Sequence, residues 1–127
     1  ADGRTWSEAL ADLVAPLADL PGMVGSGGWS NLGAVVGATQ THTMLSLRKR
    51  LHRCIFLLPG YGTQGATAEM TRAAFIGGRG AIVSASRSIL YAYREDKYKP
   101  LAARSWELAV EAAMLDMKRD LGNILSV

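Results

Sequence analysis

The chain has 127 residues, of which 49% are hydrophobic and 20% are charged, and its formal net charge is +3. These values are ordinary for a globular domain and argue against intrinsic disorder. The length suits one domain or a part of one. Because the first residue is Ala1 rather than Met, we expect the chain to lie within a longer protein. No run of about eighteen apolar residues is present, so the sequence predicts no membrane span.

The counts of cysteine and histidine argue against two kinds of site. Cys54 has no second cysteine to pair with, and it opens an apolar run, so we expect it to be a small core residue. With only His42 and His52 in addition, a metal site is not expected. A reducing cytoplasm is the compartment that these features favour.

The basic residues are partly clustered, at Arg48, Lys49, Arg50 and Arg53. Such a cluster can bind nucleic acid, but no aromatic residues interleave it as stacking platforms. It also closes a predicted helix, where cations complement the helix dipole. We therefore expect a solvated helix end and no nucleic-acid partner.

Apolar residues at helical spacing predict a first helix, with Thr5 or Ser7 as its cap. Pro16 is expected to kink or end this helix early. A glycine-rich loop follows over residues 23–31, and Trp29 within it is expected to anchor packing.

Three apolar runs then predict strands, at residues 32–38, 54–58 and 80–83. They lack polar alternation, which indicates parallel strands buried on both faces. Helical patterns follow each strand: one to about residue 50 capped by Thr39 or Thr41, one over 67–76, and a short one over 84–93. After a break at 98–100, a long helix is predicted from Leu101, with an apolar stripe on one face.

The order of a helix and then three strand–helix units predicts a parallel α/β architecture. Three strands cannot close a barrel, and an eight-stranded barrel needs about 200 residues or more. The chain is therefore either a small open sheet or the C-terminal part of a (β/α)8 barrel.

Two turns follow the second and third predicted strands. The first reads Leu-Leu-Pro-Gly-Tyr-Gly-Thr-Gln-Gly at 57–65, and the second reads Ile-Val-Ser-Ala-Ser-Arg-Ser-Ile at 82–89. Each alone could be structural, as a tight turn with glycines at positive φ or as a helix cap with a surface arginine. Together they bring loop amides, Gln64 and Arg87 to one edge of a parallel sheet, which suits a phosphate site.

Each residue of these turns has an expected role. Gly62 and Gly65 would let the backbone come close to a ligand. Gln64 would direct its amide at the phosphate or at another polar edge of the ligand. Arg87 would donate charge-assisted bonds to phosphate oxygens, and the backbone amide of Ser86 would add a donor. In (β/α)8 barrels, the loops after strands seven and eight often form such a site.

Three blocks of the sequence resemble orotidine 5′-phosphate decarboxylase, and most closely its longer bacterial branch. The blocks are Val-Gly-Ala-Thr at 36–39, Pro-Gly-Tyr-Gly-Thr-Gln-Gly at 59–65, and Ser-Ala-Ser-Arg-Ser-Ile-Leu-Tyr-Ala at 84–92. The family's blocks read approximately VGATYP, PGxGAQGG and NSSRxIxYA. Ala66 replaces a glycine and Ser84 replaces an asparagine of that pattern, and neither change removes a phosphate donor.

The resemblance implies that residues 1–127 are the C-terminal partial barrel of a single TIM-barrel domain, with about three βα units that correspond to strands 6 to 8. It implies conversion of orotidine monophosphate to uridine monophosphate (UMP) without a metal or organic cofactor. It also implies a homodimer and an N-terminal barrel segment outside this chain. By the same resemblance, Gln64 and Arg87 hold the 5′-phosphate, Ser86 binds it through its amide, and Pro59 and Tyr61 line the pocket beside the base.

The family's catalytic motif Asp-x-Lys-x-x-Asp is absent from this sequence. The nearest text runs from Asp116 through Lys118 to Asp120, one residue too short, and we expect it on a solvated face of the terminal helix. Residues 95–97 are likewise expected to be an exposed connector. We therefore predict no catalytic residue in this chain and no activity of the chain alone, since a general acid contributes roughly 10²–10⁴-fold. Two alternatives stay open: a non-catalytic module that binds phosphorylated ligands, and another phosphosugar-binding barrel enzyme.

Overall fold

The computed structural model describes residues 3–62 and 65–125. Within them, three parallel strands form one sheet in the order β1-β2-β3, and the bounds are Gly33–Val35 (β1), Ile55–Leu58 (β2) and Ala81–Val83 (β3). The register pairs Ala34 with Phe56 and Leu57 with Ile82. The predicted parallel α/β architecture is confirmed, although each strand is shorter than its apolar run.

Helices precede, connect and follow these strands. Their bounds are Trp6–Ala18 (α1), Thr41–Arg50 (α2), Ala68–Thr71 (α3), Arg87–Leu90 (α4), Lys99–Ala102 (α5) and Trp106–Leu125 (α6). Short 3-10 turns lie at Arg72–Ala74, Ala92–Arg94 and Asp96–Tyr98. The expected break at 98–100 is wrong, because Pro100 sits in the first turn of α5, where its missing N–H costs no helical bond. The long helix consequently begins at Trp106 rather than at Leu101.

The two predicted caps have different outcomes. Thr5 caps α1: its Oγ1 accepts from the Glu8 amide at 3.3 Å, and the Glu8 carboxylate accepts from the Thr5 amide at 2.8 Å. Pro16 lies inside α1, which ends two residues later. At α2 the predicted threonine cap is wrong, because Gln40 occupies that position and makes no capping bond with its side chain.

The helices cover one face of the sheet. Phe56 and Leu58 face them and are fully buried together with Met44 and Cys54, so the prediction of a core cysteine is confirmed. The expectation that both sheet faces are buried is wrong. The alternate residues lie on a face that nothing else in the described chain covers, and their exposed fractions are 71% for Val35, 36% for Ile55, 40% for Leu57 and 58% for Ile82.

A groove of about 550 Å³ runs along the outer edge of β1, between α1 and α2. Apolar side chains form much of its wall, among them Leu10, Val14, Val36 and Leu47. In the described sheet, β1 pairs only with β2, so its other edge is open. An unpaired strand edge beside an apolar groove is a surface that can accept a further strand.

The basic cluster is only in part the solvated helix end that its sequence predicts, because Lys49 and Arg53 are exposed but Arg48 is buried. Arg48 is only 6% exposed, and its guanidinium donates to the carbonyls of Leu51, Cys54 and Gly80 at 2.7–2.9 Å. Strand pairing brings these carbonyls together, and a planar fork of donors can serve all three at once. Arg50 turns instead to α1, where its guanidinium lies 3.0 Å from the Asp12 carboxylate.

Trp29 packs over the backbone that leads into β3, which confirms its predicted role as a packing anchor. A Cβ atom placed on Gly80 would lie 2.2 Å from the Trp29 ring, and Gly80 has a φ of +87°. Both the close approach and the backbone angle therefore require glycine at this position.

Candidate functional site

The two glycine- and serine-rich turns meet at the carboxyl ends of β2 and β3. They enclose a cavity of about 150 Å³ that is lined by residues 59–61 and 84–87. The Ser84 amide donates to the Leu58 carbonyl at 2.9 Å, so the two turns begin side by side. The sequence prediction that both turns reach the same edge of the sheet is confirmed. Of the candidate residues, Pro59, Tyr61, Ser86 and Arg87 line this cavity.

The first turn is closed at its base by backbone contacts. Tyr61 and Ala66 form a parallel bridge, and the Gly62 amide donates to the Ala66 carbonyl at 3.0 Å. The Gly65 amide donates to the Gly62 carbonyl at 2.9 Å. Thr63 and the predicted phosphate ligand Gln64, which lie between these glycines, are outside the described residues.

Gly62 also sets how closely the two turns approach. Its φ is +79°, and a Cβ atom there would lie 2.9 Å from the Cβ of Ser88. Ser88 belongs to α4, and its hydroxyl donates to the Tyr61 carbonyl at 3.2 Å. The first turn is thus packed directly on the helix that carries Arg87. Gly65 has a similar φ of +82° but faces open space.

Ser86 and Arg87 offer free donors at the mouth of the cavity. Both residues are exposed. Within residues 3–62 and 65–125, the Arg87 guanidinium forms neither an ion pair nor a hydrogen bond, and the backbone amides of Ser86 and Arg87 have no acceptor. Two adjacent amides and a guanidinium without a partner can bind an anion, and phosphate in particular.

The side chain of Tyr61 is hydrogen-bonded to the terminal helix. Its hydroxyl donates to the Asp120 carboxylate of α6 at 3.0 Å. Burial of the ring, followed by this hydrogen bond, raises the pKa of Tyr61 to about 12. Tyr61 therefore stays protonated and remains a donor at neutral pH.

Lys118 and Asp120 are exposed, as the sequence predicts, but Asp116, one turn before Asp120, is only partly exposed. Its carboxylate accepts from the Tyr98 hydroxyl at 2.9 Å and pairs with Lys97 and Arg119. The hydrogen bond from Lys97, followed by that from Tyr98, lowers the pKa of Asp116. The connector over 95–97 is exposed as expected, but Lys97 joins it to α6. The sequence could not predict the pairs Tyr61–Asp120 and Tyr98–Asp116, because the partners lie far apart in the chain and form no local pattern.

Among the described residues, no three His, Cys, Asp or Glu side chains are grouped so that they could hold a metal ion. Over the same residues, no helix has both the length and the apolar character needed to cross a membrane.

Curated sequences similar to this chain share one description. An orotidine 5′-phosphate decarboxylase of Rhodopirellula baltica is 38% identical over 122 residues, which are 94% of this chain and 40% of that protein. An orotidine 5′-phosphate decarboxylase of Deinococcus radiodurans is 43% identical over 91 residues, which are 71% of this chain and 33% of that protein. The chain is thus similar in sequence to orotidine 5′-phosphate decarboxylases over part of their length. The resemblance predicted from the three sequence blocks is therefore confirmed, and no protein-family model matches the chain.

A solved structure agrees with the sequence matches. The crystal structure described as an orotidine-monophosphate-decarboxylase from Toxoplasma gondii superposes with a TM-score of 0.62 and 27% identity. The superposition covers 94% of this chain and 43% of that one. The chain thus spans about two fifths of the length of these decarboxylases, and it has the fold of the C-terminal part of their (β/α)8 barrel.

Proposed function

We propose that this chain is the phosphate-binding C-terminal part of an orotidine 5′-phosphate decarboxylase, which converts orotidine monophosphate to UMP and CO2. The observation that carries the proposal is the cavity at the ends of β2 and β3, with Arg87 and two backbone amides free to bind an anion. The shared description of the relatives supports this substrate over a non-catalytic module or another phosphosugar-binding enzyme.

Each residue of the two turns has a role in this proposal. Arg87 holds the 5′-phosphate through two parallel N–H bonds, and the Ser86 amide donates to a third oxygen. Gln64 adds its side-chain amide from the first turn, where Gly62 and Gly65 keep the backbone close to the ligand. Pro59 and Tyr61 line the pocket beside the base.

The test is calorimetric titration of the complete protein with UMP and with uridine, which lacks the phosphate. We expect Arg87→Ala to weaken UMP binding by about 1.5–3 kcal/mol, the usual contribution of a hydrogen bond to a charged group, and to leave uridine binding unchanged. Arg104→Ala is the matched control, because Arg104 is exposed and lies outside the cavity lining. An Arg87→Ala protein that binds UMP as tightly as wild type would contradict the proposal.

We also propose that the remaining barrel strands cover the open face of the sheet and pair with the free edge of β1. Three observations support this: the relatives are more than twice as long, the inward-facing residues of all three strands are exposed, and the groove along β1 is apolar. Hydrogen exchange provides the test. The amides of 33–35 should exchange more slowly in the complete protein than in the 127-residue chain, and equal rates would contradict the pairing.

By resemblance to the same family, we propose a cytoplasmic homodimer that uses no metal or organic cofactor. Sedimentation velocity of the complete protein tests the dimer, and a monomer at micromolar concentration would contradict it. Activity that is retained after dialysis against a chelator is the result expected for a reaction without a metal.

A further inference from the structure

Three contacts converge on Tyr61, the residue at the base of the first turn. Its hydroxyl donates to Asp120 of α6, its carbonyl accepts from the Ser88 hydroxyl of α4, and its backbone pairs with Ala66. These contacts come from three different segments of the chain. Contacts of both its side chain and its backbone therefore hold Tyr61 in place. Gly62 and Gly65, which follow it, have no side chains that could make such contacts.

The position of α6 explains why an anchor from this helix matters. The helix packs against both α3 and α4, the helices that follow the first and second turns. It therefore provides one rigid support behind both halves of the cavity. A glycine-rich turn loses more conformational entropy on binding than an ordinary segment, and a turn that is already held in place loses less.

The negative charge of Asp120 indicates that this residue does not contact the phosphate directly. A carboxylate that touched the ligand would repel a phosphate, and Asp120 does not line the cavity. It instead accepts from the Tyr61 hydroxyl on the far side of the turn. Since the pKa of Tyr61 is raised to about 12, the phenol keeps its proton and this contact persists across the neutral range.

We propose that Asp120 is a positioning residue for phosphate binding, which holds the Tyr61 hydroxyl and thereby keeps Tyr61 and Gly62 beside α4, the helix that carries Arg87. The inference rests on the proposed function of the two turns and adds a residue that lies outside them. Asp120 affects the ligand through Tyr61 alone.

The test uses the complete protein and compares Tyr61→Phe, Asp120→Ala and Asp120→Asn. Tyr61→Phe removes the donor and keeps the ring, Asp120→Ala removes the acceptor, and Asp120→Asn keeps an oxygen that can accept the same bond. We expect the first two to weaken UMP binding about two- to tenfold, the range for loss of one hydrogen bond, and to leave uridine binding unchanged. We expect them to raise KM more than they lower kcat, and we expect Asp120→Asn to stay near wild type.

Two further variants provide a control and a test of whether the two changes remove the same bond. Glu111→Gln removes a carboxylate from the exposed side of the same helix and should change nothing. The double variant Tyr61→Phe/Asp120→Ala should be no weaker than the worse single variant, because both changes remove the same bond.

Several outcomes would overturn the inference. These are UMP binding that is unchanged in both single variants, additive losses in the double variant, or an equal loss of uridine binding, which would indicate general damage to the fold. A wild-type protein that fails to bind UMP would instead reject the proposed function, and the positioning role with it.

Discussion

The guanidinium carbon of Arg48 lies 3.5 Å from the centre of the Phe56 ring, stacked on the buried face of the sheet. Its N–H groups serve three backbone carbonyls, at Leu51, Cys54 and Gly80. Burial lowers the pKa of Arg48 to about 10, so the group remains charged at neutral pH. One side chain thus joins the end of α2 to the starts of β2 and β3.

We expect Arg48→Met to destabilise the protein by about 2–4 kcal/mol. Methionine fills much of the same space, but it removes a charged donor from three buried carbonyls, of which those of Leu51 and Gly80 each keep one backbone N–H donor. Urea denaturation of the complete protein measures the loss. Lys49→Met is the matched control, because Lys49 is its exposed neighbour and its substitution should change the free energy of unfolding by less than about 0.5 kcal/mol. Equal effects of the two variants would contradict a special role for Arg48.

The Glu8 carboxylate, which lies at a contact between α1 and α2, contributes to the pH dependence of the protein's stability in acid. Hydrogen bonds from the Ser46 hydroxyl and then from the Thr5 amide lower the pKa of Glu8 from 4.5 to about 2. A carboxylate whose pKa is lower in the folded state stabilises that state above its unfolded pKa. This contribution is therefore complete above about pH 4.5 and is lost as the pH falls from there towards 2.

Substitution of Glu8 isolates this effect. We expect Glu8→Gln to be less stable than wild type at pH 7, with a difference that shrinks as the pH falls from about 4.5 to 2. Urea midpoints measured at several pH values provide the readout, with Glu111→Gln as the control for removing a surface carboxylate. A constant difference between Glu8→Gln and wild type across this range would argue against the lowered pKa.

The order of helices and strands could be predicted because each element has a local pattern of apolar residues. Apolar runs of four to seven residues give the strands, and the spacing from Trp6 gives the first helix. Burial could not be predicted in the same way. Val35 and Ile82 look like core residues in the sequence, yet their side chains are exposed on a sheet face that nothing else among the described residues covers. An apolar run specifies that a face must be covered and does not say which segment covers it.

In the candidate site, too, the local sequence blocks were predictable and the contacts between distant residues were not. The two turns carry their glycines and Arg87 in short, readable blocks, and parallel topology places both at one edge. The hydrogen bond that joins the first turn to α6 could not be predicted from the sequence, because Tyr61 and Asp120 are separated by 59 positions. Arg48 was misjudged for a related reason: its acceptors at Cys54 and Gly80 are assembled only when the strands pair.

Gly62 offers a separate test of how the two turns fit together. We expect Gly62→Ala to cost about 1–3 kcal/mol of stability and to weaken UMP binding, because a side chain there is strained at φ +79° and meets Ser88. Gly65→Ala is the matched control for stability, since Gly65 has a similar φ but faces open space. Equal losses of stability in the two alanine variants would show that the contact with Ser88 does not matter.

The 127-residue chain alone should not decarboxylate orotidine monophosphate. Its sequence lacks the Asp-x-Lys-x-x-Asp motif, and no lysine lines the cavity between the two turns. Of its four lysines, Lys97 and Lys99 are paired with Asp116 and Asp96. The open sheet face would also leave a bound substrate in water, where preorganised charges stabilise a transition state less. The loss of orotidine absorbance measures the rate, which should equal that of buffer alone and rise only in the complete protein. A purified 127-residue chain with measurable turnover would show that a proton donor lies within it.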